Sequence, residues 1–268
     1  MFEQLWLNMF AGRDVGFVLV VFSFVMHELF YFGRYLPFFL LDFFPSMKKY
    51  KLQPKKENSA PLIKKCLYKL LINHFFIQLP MMLGFHPLAE MFGMKIVDVF
   101  PTWQSFLLQI TVFFIFEDFY HYWMHRAMHI PSLYKHVHKV HHEFSAPFGI
   151  TAEYAHPIET VVLGFGTVGG PVLWVMATGD LHVVTMFTWI ILRLLQTVDA
   201  HSGYDFPFSL HNWFPFWAGA EHHDYHHMAF INNFSSSFRW WDTWFGTDLK
   251  YLAHKEQQKA TAAAKKVQ

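Results

Sequence analysis

Long apolar runs separated by short polar segments set the pattern of this chain. The first, Val15 to about Leu36, is long enough to cross a ~30 Å hydrocarbon core as a helix, and only His27 and Glu28 interrupt it. A Pro-punctuated polar loop follows at 46–65, holding seven lysines (Lys48, Lys49, Lys51, Lys55, Lys56, Lys64 and Lys65) against one glutamate. Second and third apolar runs cover about Leu67–Phe85 and Trp103–Tyr120. Two more, Ile158–Thr178 and Leu181–Val198, are separated only by Gly179-Asp180, which predicts a helical hairpin, either spanning or re-entrant. The pattern therefore predicts an all-α, multi-pass membrane helical bundle of about three spans plus the hairpin. A histidine-rich helical cap is expected on one face.

Lysine excess in a short loop marks the cytosolic side. Counting sides from loop 46–65 puts segments 121–142 and 201–227, and the C-terminus, on that same side. The opening MFEQLWLNMFAGRD has no basic n-region, so no cleavable signal peptide is expected. The tail reads as short and solvated, and its Lys265-Lys266 pair resembles the dilysine retrieval signal of endoplasmic reticulum membrane proteins.

Composition sharpens the picture. Hydrophobic residues are 53% of the chain and charged ones 15%, which excludes a disordered chain, and a net charge of +1 argues against nucleic acid as a partner. A single cysteine, Cys66, leaves no intrachain disulfide framework and no thiolate metal cluster. Histidine is the outlier: 19 residues, nearly as many as the 20 acidic ones.

His121, His125 and His129 are spaced by four and form one stripe on a helix continuing the third span. Pro131 can restart a helix at its first position. Spacings of i, i+3 and i+4 then put His138, His141 and His142 on a single face, with His136 pointing away. His223, His226 and His227 repeat that H-x-x-H-H spacing. A lone histidine is ordinarily a core or surface residue, and His27, His74, His86, His182, His211 and His254 are read that way. Groups packed this densely would repel one another when protonated; a metal ion resolves that by taking the lone pairs of neutral rings. Eight histidines in the motifs, with His201 as a ninth candidate, are too many for one ion and suit two. Imidazole serves zinc, copper, iron and nickel alike. A site beside the bilayer, next to aromatic-rich spans, points to dioxygen activation on a lipid.

The strings HRAMH (125–129), HKVHH (138–142), APFGITAEYAHP (146–157), DAHSGYDFP (199–207), AGAEHHDYHH (218–227) and FGTD (245–248) carry a resemblance. The chain resembles the membrane fatty acid hydroxylase superfamily and, within it, the C4-methylsterol monooxygenases. That resemblance implies two iron ions held by His125, His129, His138, His141, His142, His201, His223, His226 and His227, with no catalytic residue beyond the ligands. It implies stepwise oxidation of a sterol C4-methyl group to alcohol, aldehyde and carboxylate. Dioxygen is consumed, and electrons arrive from NAD(P)H through cytochrome b5 and its reductase. Other sterol C4-demethylation enzymes are implied as partners, beside the lipid bilayer itself. Where many relatives carry H-x-x-x-H, this chain has His201-Ser-Gly-Tyr-Asp205, so Asp205 is a candidate ligand or ring orienter. His121, His156, His222 and Asp224 are further candidates for either role.

Histidine-only ligation leaves metals more positive than carboxylate ligation would. Glu117, Asp118, Glu153 and Asp224 are therefore candidates to fix ring tautomers. Trp240, Trp241 and Trp244 suit an interfacial belt. The expected division is 1–120, a transmembrane region; 121–250, a fatty acid hydroxylase-type di-metal domain including hairpin 158–198; and 251–268, a cytosolic tail. Two readings compete. One is a fatty-acyl or sphingolipid hydroxylase of the same superfamily. The other is a membrane metal transporter, which would need ligands along a path through the bilayer.

Overall fold

The computed structural model describes residues 2–267; the side chains of Lys265 and Lys266, expected as a retrieval signal, lie outside the described part. A short helix α1 (Phe2–Phe10) precedes α2 (Val15–Leu41), whose N-terminus is capped by Asp14 accepting the Phe17 N–H at 2.7 Å. Helices α3 (Ala60–Asn73) and α4 (Leu79–Met91) are joined by a π turn, His74–Gln78, into one continuous run. Next come α5 (Trp103–Met128), α6 (Pro131–His136), α7 (Pro157–Thr178) and α8 (Val183–Ala200). The cap is completed by two 3-10 stretches, His138–Glu143 and Gly149–Glu153, and by α9 (Leu210–Trp213), α10 (Gly219–Ala229), α11 (Trp240–Phe245) and α12 (Leu249–Val267).

Among the described residues, four helical runs are long and apolar enough to cross a membrane: α2, the continuous α3–α4 run, α7 and α8. Helix α5, expected as the third span, is not among them. Gln104, Gln109, Glu117 and Asp118 break its apolar character, and three of these, Gln109, Glu117 and Asp118, are buried inside the bundle.

Apolar residues cover the outside of the bundle as well as its core. Helix α2 turns Phe17, Val21, Val25 and Leu29 outward and buries Ser23, Met26, His27 and Tyr31. Such a face is stable only where the surroundings are themselves apolar, so its polar groups must be satisfied internally. Ser23 accordingly donates to the Leu19 carbonyl at 2.6 Å and meets His86 Nε2 at 2.7 Å. Helix α7 packs closely on α5 because Gly166 and Gly170, one turn apart, lack a Cβ. An added methyl group would stand 2.8 Å from Tyr120 and 3.0 Å from Phe116.

Helix ends sort to two faces. At one, the hairpin tip reaches the end of α4 and the start of α5: Asp180 pairs with Lys95 at 3.2 Å, and β1 (Met94–Lys95) runs parallel to β2 (Leu181–His182). At the other, the lysine loop lies against the cap. Leu52 N–H donates to Gly203 O at 3.0 Å, Asp205 N–H to Tyr50 O at 2.8 Å, and Lys65 pairs with Glu143 at 2.6 Å. The tail, expected as short and solvated, is helical as α12 and exposed over 256–261, while nearer its start Tyr251 reaches Glu221 of α10 at 3.2 Å and Lys255 pairs with the same carboxylate.

Candidate metal centre

Nine histidines converge where the spans meet the cap. His125 lies near the end of α5 and His129 is its C-cap; His201 is the C-cap of α8; α10 carries His223, His226 and His227. They form two groups, His125, His129, His138, His142 and His226, and His141, His201, His223 and His227, with their ligating atoms all within 4.8 Å of one another in each. The single face expected for His138, His141 and His142 is corrected by the backbone. Residues 138–143 form a 3-10 helix; the rings of His138 and His141 stack 5.6 Å apart, yet His138 and His142 fall in one group and His141 in the other.

Six of the nine rings are aimed from behind by a hydrogen bond at Nδ1. Nδ1 of His125 donates to Phe234 O (2.9 Å), His141 to Tyr154 O (3.1 Å), His201 to Thr197 O (2.8 Å), His226 to Asn232 O (2.5 Å) and His227 to Phe144 O (3.0 Å). Nδ1 of His138 donates to Glu159 Oε1 at 2.7 Å. A neutral imidazole that donates through Nδ1 has only a lone pair at Nε2. Yet the Nε2 atoms crowd together. In the first group the pairs 125–138, 138–142, 142–226 and 129–226 stand 3.2, 3.0, 3.1 and 3.2 Å apart. In the second, 141–201, 201–223 and 223–227 stand 3.3, 2.9 and 3.2 Å apart.

In the pairs 125–138 and 141–201 both rings donate through Nδ1, so acceptor faces acceptor, the two repel and the contact is not a hydrogen bond. A shared cation turns the repulsion into ligation. Nitrogens ~2.1 Å from one ion stand about 3.0 Å apart at right angles and about 3.4 Å apart at the tetrahedral angle. The observed spacing fits that requirement, and the two donor sets fit two ions. Burial holds His129 and His141 down to about 4, His201 to about 3 and His142 to about 2. All four rings are therefore in the neutral, ligating form at neutral pH.

Among carboxylates of the described residues, Glu159 is the one that orients a ring of the nine, and sequence reasoning missed it because it lies two residues beyond the 146–157 string, at the start of an apolar helix. The four candidates named for that task do other work. Glu117 pairs with Arg193 at 2.7 Å; Asp118 accepts the Ser237 and Phe238 N–H groups (2.8 and 2.9 Å); Glu153 meets His27 and His74; Asp224 accepts from Gln53 at 3.0 Å, and burial pushes it up to about 7. Ligand orienters of this kind are worth ~10–100-fold in metal affinity. Glu159→Ala is expected to weaken metal retention by about that factor. Glu159→Gln, whose carbonyl oxygen still accepts, is expected to restore most of it, as a chelator competition assay would read out.

The other candidates lie outside both histidine groups. His121 stands 3.5 Å from Glu117; His156 accepts the Ile158 N–H at 3.2 Å as N-cap of α7; His222 is buried 3.4 Å from Asp242. Asp205 pairs with His211 at 3.1 Å, in a separate group with Glu221. Of the tryptophans, Trp244 is exposed, Trp241 packs on Phe119, and Trp240 donates its indole N–H to Asp118 at 2.9 Å.

A cavity of about 280 Å³ runs from this centre into the bundle. His125, His138, His141, His201 and His223 line its inner end, and Met26, Met81, Phe85, Leu163, Met186 and Ile190 line its apolar reach. An elongated lipid entering between the spans would bring one end to the imidazoles while its body stays out of water.

Comparison with known proteins agrees with this chemistry. The fatty acid hydroxylase family model matches residues 110–247. A methylsterol monooxygenase of Aspergillus fumigatus is 48% identical over 264 residues, covering 98% of this chain and 89% of that protein. A C-4 methylsterol oxidase of Schizosaccharomyces pombe is 49% identical over 259 residues (96% and 86% covered), and methylsterol monooxygenase 1 of Rattus norvegicus is 44% identical over 259 (96% and 87%). No solved structure matches the chain. By family match and by near full-length identity, the chain belongs to the fatty acid hydroxylase family.

Proposed function

We propose that this protein is a membrane non-haem di-iron monooxygenase. It oxidises the C4-methyl group of 4,4-dimethyl- and 4-methylsterols stepwise to alcohol, aldehyde and carboxylate. The observation that carries this reading is the paired histidine centre at the head of an apolar cavity, in a chain related along nearly its whole length to proteins named methylsterol monooxygenases.

Two iron ions held by the nine histidines would supply the activation of dioxygen that an inert C–H bond requires. The chain's own residues do the rest. Backbone carbonyls and Glu159 hold the rings in the ligating tautomer, and the methionine- and phenylalanine-lined cavity excludes water from the reacting carbon. A sterol carries its polar 3-hydroxyl beside C4, so the end that reaches the imidazoles is the end to be oxidised. Electrons come from NAD(P)H through cytochrome b5 and its reductase, which dock at the cap. The carboxylate passes to a decarboxylating partner enzyme of sterol C4-demethylation. The lysine excess of loop 46–65, packed against the cap, supports a cytosolic centre in an endoplasmic reticulum protein.

The test uses the purified full chain in lipid nanodiscs with dioxygen and a reducing system, offered labelled 4,4-dimethylsterol and long-chain acyl lipids in parallel. Oxidised sterol is expected. Conversion of acyl chains alone would instead identify a fatty-acyl or sphingolipid hydroxylase, and vectorial metal uptake into vesicles without oxygen consumption would identify a transporter.

A further inference from the structure

A second kind of imidazole group is buried in the wall of the same cavity, apart from the nine. His27 on α2 and His74 at the π turn are 4% and 0% exposed, and both stand between two carboxylates, Glu28 and Glu153. One oxygen, Glu28 Oε1, lies 3.1 Å from Nδ1 of His27 and 2.7 Å from Nδ1 of His74. It accepts both Nδ1–H groups. That fixes the tautomer of each ring and leaves a lone pair at each Nε2.

Both lone pairs are turned towards Glu153. Nε2 of His27 is 3.3 Å from Oε1, and Nε2 of His74 is 2.9 Å from Oε2. With neutral rings acceptors again face acceptors, and the His27 contact is a hydrogen bond only where its Nε2 carries a hydrogen. Protonating both rings would give each Nε2 a hydrogen to donate. At His74 the alignment does not serve it: Nε2 is fully buried and makes no hydrogen bond despite the nearby oxygen. An N–H held there would be an unsatisfied charged donor, costly in an apolar bundle. A cation needs no linear N–H···O line, only convergent lone pairs, and the three groups offer ligand atoms within 4.8 Å of one another.

We propose that His27 Nε2, His74 Nε2 and the Glu153 carboxylate bind a further divalent transition-metal ion, distinct from the two at the nine-histidine centre. Glu28 orients both rings from behind, as carboxylates behind ligating histidines do. Two histidines and one carboxylate form a donor set suited to Zn²⁺ or Fe²⁺. Gln78 Nε2 donates to Glu153 Oε2 at 3.1 Å and completes the surround. The site ties α2 and the α3–α4 run to the Gly149–Glu153 stretch. Its next residue, Tyr154, supplies the carbonyl that aims His141. Loading the site would therefore brace the four-histidine group from outside. The inference does not depend on which lipid is oxidised.

Metal content of the purified full chain tests it. Wild type is expected to hold about three equivalents, and His74→Gln and Glu153→Gln about two each. His141→Ala is expected to lose its equivalent from the other centre, which separates a failure of this site from a failure of the main one. Should the variants fold poorly, Co²⁺ titration of metal-stripped wild type gives a second readout. A third step of visible absorption is expected, with a band pattern set by mixed nitrogen and oxygen ligands. Wild type saturating at two equivalents, or His74→Gln retaining every equivalent with an unchanged Co²⁺ titration, would overturn the proposal in favour of a doubly protonated histidine pair.

Discussion

His141→Ala is expected to lose about one metal equivalent and at least ~10³-fold in turnover, the equivalent of about 4 kcal/mol in transition-state stabilisation. His141 belongs to the smaller group, so its removal leaves His201, His223 and His227 alone. It also lines the cavity, so the loss falls where substrate is to be oxidised. His142→Ala is the informative partner, because it takes one ring from a group of five and leaves four. That variant is expected to keep more metal than His141→Ala and to lose it faster to a chelator. Metal analysis beside turnover on the same preparations checks both. A His141→Ala protein with full metal and normal turnover would sink the assignment.

Acid is expected to dismantle the centre between about pH 6.5 and pH 4. An unfolded histidine titrates near its ordinary value, whereas burial lowers His129 and His141 to about 4. As pH falls through the ordinary value, the unfolded chain takes up protons that the folded chain refuses. Stability fully present above that value is lost progressively until the folded rings protonate as well. One such ring is worth roughly 3 kcal/mol at the bottom of the window. The nine rings are neighbours, so their contributions do not add simply. Protons also compete with metal for the same lone pairs, so metal release and the fall in Tm should coincide. Melting and metal retention followed from pH 7 to pH 4 test this; a flat profile would show that the rings neither ligate nor stay neutral.

Much of the architecture was legible in apolar run length, because a membrane span demands about twenty such residues and little else does. Helix α5 was the exception. Trp103–Tyr120 reads as a span, but Gln109, Glu117 and Asp118 within it serve interior hydrogen bonds and ion pairs that no run length reveals. The histidine motifs announced that the rings would gather. How they divide was hidden, because the neighbours His141/His142 and His226/His227 are split between the two groups, which spacing does not reveal. Glu159 and the His27–His74 pair were hidden for another reason. Glu159 meets His138 across 21 positions, His74 meets Glu28 across 46, and His27 meets Glu153 across 126, so only tertiary packing brings them together.

Two pairs of sequence neighbours, His141 with His142 and His226 with His227, send their rings to opposite halves of the centre. Adjacent Cα atoms are ~3.8 Å apart across a trans peptide, a length the chain cannot stretch. The gap between the ions is thus gauged by covalent rungs, and neither half can widen without dragging the other. The inter-ion separation is therefore expected to hold steady as substrate comes and goes.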